Sequence, residues 1–324
     1  MNEPLPSVTV LIAARPGQAD IKAVTASRSL DYPREKLEII VARGKQPSVQ
    51  RNTASREARG ELIYFLDDDS MPPPENLRRA VQAFADPKVK MLGGPNICPG
   101  DAPLLEQVFA LVHASWLAFG PSRARYTPVG AVRESSEKEL ILCNLMTRRD
   151  ALLEAGGFNE ALYPNEENAL MDELQKRGGK LLYDPEFIVH RRPRNNLGAF
   201  AKMLRNYGRG RAEQFRLQPT LGSAPNFVPP LFCVYLLALM ILFVSGHTTM
   251  LPWLLIPLFF YGFALLGQAA VLAGQGGLLE SVLAIPLMFL THLLYGVGFW
   301  RGLFTPLKPA EREKIPVTIE RISL

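Results

Sequence analysis

Apolar and polar positions follow two different rhythms along this chain. In roughly the first two hundred residues, short apolar runs alternate with stretches of helical spacing. Ser7–Ala14 predicts a strand ending at Arg15-Pro16-Gly17, and Asp20–Leu30 a helix capped by Asp20. Leu37–Ala42 predicts a second strand. A helix from a Ser48 cap to Arg59 follows, and then a third strand, Glu61–Leu66, runs into Asp67-Asp68-Asp69. Pro72-Pro73-Pro74 opens a helix with Leu77, Val81 and Phe84 on one face, and Val89–Leu92 predicts a fourth strand. This order implies an α/β fold built on a parallel, doubly wound, Rossmann-like sheet. Ligands of such sheets bind at the carboxyl ends of the strands, and the aspartate triplet falls at one.

The middle of the chain is less regular. Leu104–Phe119 is apolar on most faces and reads as core or as a helix resting on a membrane surface. Leu140–Thr147 predicts a strand, Arg149–Ala155 a short helix, and Glu166–Arg177 a helix stopped by Gly178-Gly179. Short strands follow at Leu181–Tyr183 and Phe187–His190. In Leu197–Arg216, Leu197, Phe200, Leu204 and Tyr207 recur at helical spacing among basic residues, a pattern that suits an interfacial helix.

The second rhythm is nearly continuous apolarity. No Asp, Glu, Lys or Arg occurs between Arg216 and Glu280, where a water-soluble domain would carry several. Three segments, 227–245, 251–273 and 279–304, are each long enough to span a bilayer, which takes about 20 apolar residues. Three spans would put the tail on the far side. Yet Lys308, Arg312, Lys314 and Arg321 favour the near side, and Ile315–Leu324 reads as a strand in need of a partner. Two spans with one interfacial segment is the alternative. The expected divisions are 1–195, an interfacial helix at 196–220, a membrane region at 221–306 and a tail at 307–324.

Charge and cysteine content narrow the function. The net charge is +5, and much of the excess lies in Arg191, Arg192, Arg194, Lys202, Arg205, Arg209, Arg211 and Arg216, beside the first apolar run. That placement marks a cytoplasmic flank attracted to anionic lipid, not a nucleic-acid surface, which would add aromatic platforms or a reading helix. Cys98, Cys143 and Cys233 show no metal-ligand spacing, and no signal peptide opens the sequence, so a cytosolic catalytic part on the inner membrane is expected. The apolar segments carry only Glu280 and Arg301, each near an end, which argues against a transporter.

Three adjacent carboxylates repel one another, and a divalent cation removes that cost. Their hard oxygens suit Mg2+ or Mn2+, ions that commonly share their shell with substrate phosphates. The plainer alternative is a solvated turn capping the next helix. Glu166-Glu167 likewise serves either as a general base or as ordinary acidic residues at a helix start.

Residues 7–190 resemble the GT-A fold of family 2 glycosyltransferases. The resemblance is carried by Val8-Thr9-Val10-Leu11-Ile12, by Tyr32-Pro33 followed by Leu37-Glu38-Ile39-Ile40-Val41, and by Arg51-Asn52 followed by Ala58 to Asp69. Gly156-Gly157-Phe158, Glu166-Glu167 and Tyr183-Asp184-Pro185 complete it. It implies that Asp67 and Asp69 hold the metal and the sugar-nucleotide diphosphate, with His190 as a further metal ligand. It makes Glu167 the base, with Glu166 as the other candidate. Ala14, Arg15, Arg43, Arg51 and Asp68 would line the donor site, and Arg209 and Arg211 would meet the leaving diphosphate or lipid headgroups. Two departures stand out: Arg15-Pro16-Gly17 replaces the usual Asn-Glu, and Arg43-Gly44 replaces the Asp that reads the nucleoside. The Gln-x-x-Arg-Trp motif of processive synthases is missing, which favours transfer of one sugar.

The expectation is therefore an inverting, metal-dependent transferase that takes a nucleotide-sugar donor and a hydroxyl of a lipid-linked glycan or glycolipid. A polyprenyl-phosphate monosaccharide synthase is the close alternative, and a non-catalytic membrane scaffold the alternative of another class. Membrane lipids are expected partners, nucleic acid is not, and homo-oligomerisation is left open.

Overall fold

The computed structural model describes residues 5–162, 165–217, 219, 221–247, 249–306 and 316–324. It divides into two compact units, one made of Met1–Pro99, Ala124–Arg192 and Lys308–Leu324, the other of Gly100–Arg123 and Pro193–Leu307. In chain order the first stretch runs β1 (Val8–Ala14), α1 (Lys22–Arg28), β2 (Leu37–Arg43), α2 (Pro47–Glu57), β3 (Leu62–Asp67), α3 (Asn76–Ala83), β4 (Val89–Gly93) and β5 (Asn96–Ile97). The middle supplies α4 (Leu104–Ala114), α5 (Trp116–Phe119), β6 (Arg133–Glu134), β7 (Asn144–Arg148), α6 (Arg149–Glu154), α7 (Glu166–Lys176), β8 (Lys180–Tyr183) and β9 (Val189–His190). The last third gives α8 (Leu197–Leu217), α9 (Val228–Val244), α10 (Leu251–Gly276), α11 (Leu278–Phe304) and β10 (Thr318–Ile322).

The first unit is built on one eight-stranded sheet of order β10-β2-β1-β3-β7-β4-β8-β6. The expected parallel arrangement holds for β2-β1-β3 and for β4-β8, but β7 runs antiparallel between β3 and β4, and β10 and β6 also pair antiparallel. Because β1, β2 and β3 are parallel and in register, Ala14 lies opposite Arg43 and Ala13 opposite Asp67, so three carboxyl ends stand side by side. Both faces of the sheet are covered, which is why its strands read as unbroken apolar runs. Val10, Ile12 and Tyr64 pack with Leu77 and Val81 of α3 on one face. Leu11, Ile40 and Phe65 pack with Ala54 of α2 and with Leu170 and Leu174 of α7 on the other.

Several local expectations change. Asp20 does not cap α1; the amide of Ala23 in its first turn donates instead to the Asp68 carbonyl at 3.1 Å. Ser48 lies inside α2, which starts on Pro47, a residue with no amide hydrogen to satisfy. The three prolines precede α3 rather than open it, since the helix begins at Asn76. The Leu104–Phe119 stretch breaks at Ser115, whose hydroxyl accepts from the Ala118 amide at 3.2 Å and starts α5.

In the second unit, three helices are long and apolar enough to cross a membrane: Gly222–Val244, Leu251–Gly276 and Leu278–Phe304. They extend past the expected bounds at several ends. Only 11 % of the most apolar stretch of each of the first two is buried, against 39 % for α11. The difference comes from α8, which packs along α11 at backbone contact. A methyl at Gly208 would stand 2.0 Å from the Tyr295 carbonyl, and one at Gly298 2.1 Å from the Arg205 carbonyl. Several polar groups of this unit are paired as an apolar surrounding demands. His292 bonds Tyr261 at 2.7 Å and the Leu117 carbonyl at 2.9 Å, while Gln268 accepts from the Leu117 amide at 3.1 Å. Lys308, Arg312 and Lys314 of the basic tail lie outside the described residues, as does Ile315.

Candidate active site

Asp67 is the last residue of β3, and Asp68 and Asp69 form the turn after it. The side chains point to different partners. Arg51 of α2 donates to Asp67 Oδ1 at 3.0 Å and to Glu166 Oε1 at 3.2 Å, so one guanidinium links the end of β3 to the first turn of α7. Arg51 and Glu166 are both deeply buried, with side chains 7 % and 3 % exposed. On the other side Arg191 spans Asp67 Oδ2 at 3.2 Å and Asp69 Oδ1 at 2.5 Å. Asp68 Oδ2 accepts from Gln18 Nε2 at 2.5 Å.

The start of α7 is set by an unusual backbone. Asn165 has φ of +105°, the one non-glycine residue with positive φ among those described. Such a conformation is held only when the surroundings over-determine it, and it is enriched at functional sites. Here the Asn165 side chain accepts from Asn168 Nδ2 at 2.9 Å. The turn sets Glu166 inward and leaves Glu167 half-buried. Burial, then the neighbouring Glu167, push the Glu166 carboxyl up to about 8 against the pull of Arg51. Its second oxygen is buried with no hydrogen-bond partner. By contrast, the Arg191 guanidinium is held well above its ordinary value, because the attraction of Asp67 and Asp69 outweighs its burial.

The remaining expected residues fall in three places. Ala14 and Arg43 cap the neighbouring strand ends. The Ala14 carbonyl accepts from Gln50 Nε2 at 2.8 Å, and Arg43 bonds Glu320 at 2.6 Å and the Gln18 carbonyl at 2.7 Å. The Arg15 carbonyl accepts a longer bond from Arg43, 3.4 Å. His190 pairs by its backbone with Met71, in the segment after the triplet, at 2.9 Å in both directions. Its side chain is not gathered with the aspartates: among the described residues no cluster of three or more His, Cys, Asp or Glu is poised around a metal. Arg209 and Arg211 lie on α8 of the other unit, beside Glu213 at 3.4 Å and Gln214 at 3.1 Å.

Asp67 and Asp69 nevertheless suit a hard cation. Three acids (Asp67, Asp69, Glu166) share two guanidiniums, and Arg191 already stands between the two aspartates as a cation would. Arg191, Gln18 and Glu320, none of them an expected site residue, thus join the expected Arg51 in this network. Of the three only Arg191 left a signal in the sequence, as part of a basic flank.

A family model described as "Glycosyl transferase family group 2" matches residues 62–265. A pre-mycofactocin glycosyltransferase of Mycobacterium tuberculosis is 27 % identical over 147 residues, which is 45 % of this chain and 30 % of that protein. The matched region is thus under a third of that relative's length. Among solved structures, the mannosyltransferase PcManGT from Pyrobaculum calidifontis, in complex with GDP-Man and Mn2+, aligns over 92 % of this chain and 87 % of its own. Its TM-score is 0.54 at 18 % identity. S. aureus TarS aligns over 91 % of this chain and 55 % of its own, at 12 % identity and a TM-score of 0.45. The fold shared with PcManGT is the GT-A fold; in this chain the carboxyl edge of the mixed sheet carries the acidic triplet. With its family model covering most of the chain, the protein belongs to the family 2 glycosyltransferases.

Proposed function

We propose that this glycosyltransferase moves one sugar, with inversion, from a nucleotide-sugar donor to a hydroxyl of a lipid-linked glycan or glycolipid. The observation that carries the reading is the Arg51 bridge between Asp67 and Glu166. It ties the donor end of the site to the helix start that bears Glu167, so an acid with access to solvent sits one residue from the network around the triplet. Asp67 and Asp69 are the residues that would hold a divalent cation, Mg2+ or Mn2+, which when bound supplies positive charge to the departing diphosphate. A relative of this fold has been solved with GDP-Man and Mn2+, which supports a nucleoside-diphosphate donor and a cation here.

In this reading Glu167 accepts the proton of the acceptor hydroxyl as its oxygen attacks the anomeric carbon. Glu166 is a poor proton acceptor by comparison, being buried, bonded to Arg51, and pushed up towards the protonated state. Its work is to hold Arg51, and Arg51 holds Asp67. The three apolar helices support a lipid-borne acceptor, since the enzyme shares the bilayer with it. The basic flank supports a catalytic unit on the cytosolic face of the inner membrane.

The test is a screen of nucleotide sugars for transfer in native membranes, repeated with Glu167→Gln. A fall in turnover of about 10²–10⁴ supports a base acting on a hydroxyl. Unchanged turnover would instead identify an acceptor already ionised, such as a polyprenyl phosphate. Absence of transfer or nucleotide binding with every donor would leave a scaffold.

A further inference from the structure

The strand that follows the apolar helices returns to the catalytic sheet. β10 adds antiparallel to the edge of β2, from Thr318 opposite Arg43 to Ile322 opposite Ile39. Ile319 and Ile322 pack on opposite faces of the sheet. Arg321 fastens the strand by bonds to Glu38 at 3.1 Å and to the Glu57 carbonyl at 2.9 Å. Glu320 does something different. Its carboxylate meets Arg43 Nε at 2.6 Å, at the carboxyl edge of the sheet.

That bond fixes the plane of a guanidinium whose Nη1 donates to the Gln18 carbonyl at 2.7 Å. The Gln18 side chain in turn donates to Asp68 at 2.5 Å and to the Asp20 carbonyl at 3.2 Å. An unbroken path therefore runs Glu320, Arg43, Gln18, Asp68. The loop it crosses, between β1 and α1, has no regular structure and turns at Gly17 with φ of +73°. The turn itself is closed by a long bond, from the Gln18 amide to the Arg15 carbonyl at 3.3 Å. A guanidinium without its carboxylate would sample several rotamers, and the planar fork is what makes a two-sided clamp specific.

We propose that Glu320 is a positioning residue: from the far end of the chain it orients Arg43, and through it holds the 15–20 loop and Gln18 against the acidic triplet. Resting on the donor-site reading above, this makes nucleotide affinity depend on a strand that follows the membrane helices.

The experiment uses full-length protein in detergent, with amide hydrogen exchange of residues 15–20, thermal melting, and titration with UDP and GDP in the presence of Mn2+. Glu320→Gln is expected to speed loop exchange and weaken nucleotide binding by about tenfold, the loss of one charge-assisted bond, with little change in melting. Arg321→Ala should lower the melting temperature and leave loop exchange and affinity in place. The exchanged pair Arg43→Glu with Glu320→Arg should melt like wild type yet keep the fast loop exchange. Loop exchange in Glu320→Gln equal to wild type, or matched by Arg321→Ala, would overturn the proposal. Faster loop exchange in a protein that binds neither nucleotide supports the positioning role and sinks the donor reading instead.

Discussion

Arg191 stands between Asp67 and Asp69, where a cation would bring the two carboxylates together. On the proposed reading, a divalent ion at Asp67 and Asp69 would compete with this guanidinium for the same two carboxylates. Arg191→Gln is therefore expected to tighten Mn2+ binding to the nucleotide-free protein by severalfold or more, read from the electron spin resonance of free Mn2+; weaker binding would show that Arg191 assists the ion. Arg51 bonds the other oxygen of Asp67, Oδ1. Glu166 gives a second prediction. Its carboxyl is pushed from an ordinary value near 4.5 to about 8 in the fold, so the folded state binds the extra proton over that window. Stability from this group is thus lost as pH rises from about 4.5 to about 8 and is level outside it. The difference in melting temperature, Glu166→Gln minus wild type, should climb through that window, and a flat difference would contradict the assignment. The placement of Asp67 and Asp69 at a strand end and of Glu167 at a helix start was legible in the sequence because these are local patterns. The role of Arg191 was not, because its partners lie more than a hundred residues upstream and its own neighbourhood reads as membrane flank.

At the level of elements, the helices and strands of the catalytic unit followed from apolar periodicity, while their starts and directions did not. Ser48 and Asp20 have the chemistry of caps, yet Pro47 begins one helix and the Asp68 carbonyl receives the other's Ala23 amide. β7 has the composition of any buried strand, and its antiparallel course between β3 and β4 is decided by where the chain re-enters after α4 and α5. The close contact of α8 on α11 was hidden in glycines. Gly208 and Gly298 read as helix-weakening residues, but each admits a carbonyl of the facing helix within about 2 Å of where a methyl would stand. Gly208→Ala must push the helices apart, at a cost of about 1–3 kcal/mol as for other overpacked contacts. The expected outcome is a lower melting temperature in detergent and easier tryptic cleavage at the arginines of α8. Melting and cleavage as in wild type would mean that the two helices are not in contact.

At the scale of the molecule, the return of the chain to the sheet makes a prediction about the count of membrane crossings. The chain leaves the catalytic unit after Arg192 and is back in it at β10, hydrogen-bonded to β2. If both ends of the intervening segment stay on the side of that sheet, an even number of crossings is expected, the two-span alternative of the sequence. Three helices are long and apolar enough to cross, so on this expectation one of them lies in the interface. α11 is the one that fits, because it is the most buried and is packed along α8, whose Lys202, Arg205 and Arg216 are exposed. Basic side chains beside an apolar face suit the headgroup layer rather than the hydrocarbon. α9 and α10, joined by the short 245–250 connection, would then form the hairpin expected to cross. In a cysteine-free background within intact cells, His247→Cys in that connection should react with a membrane-impermeant maleimide. Ser323→Cys, beyond β10, should react only after the cells are opened. Labelling of both from outside would give three crossings, and the pairing of β10 with β2, together with any role of Glu320 at the donor site, would have to be abandoned.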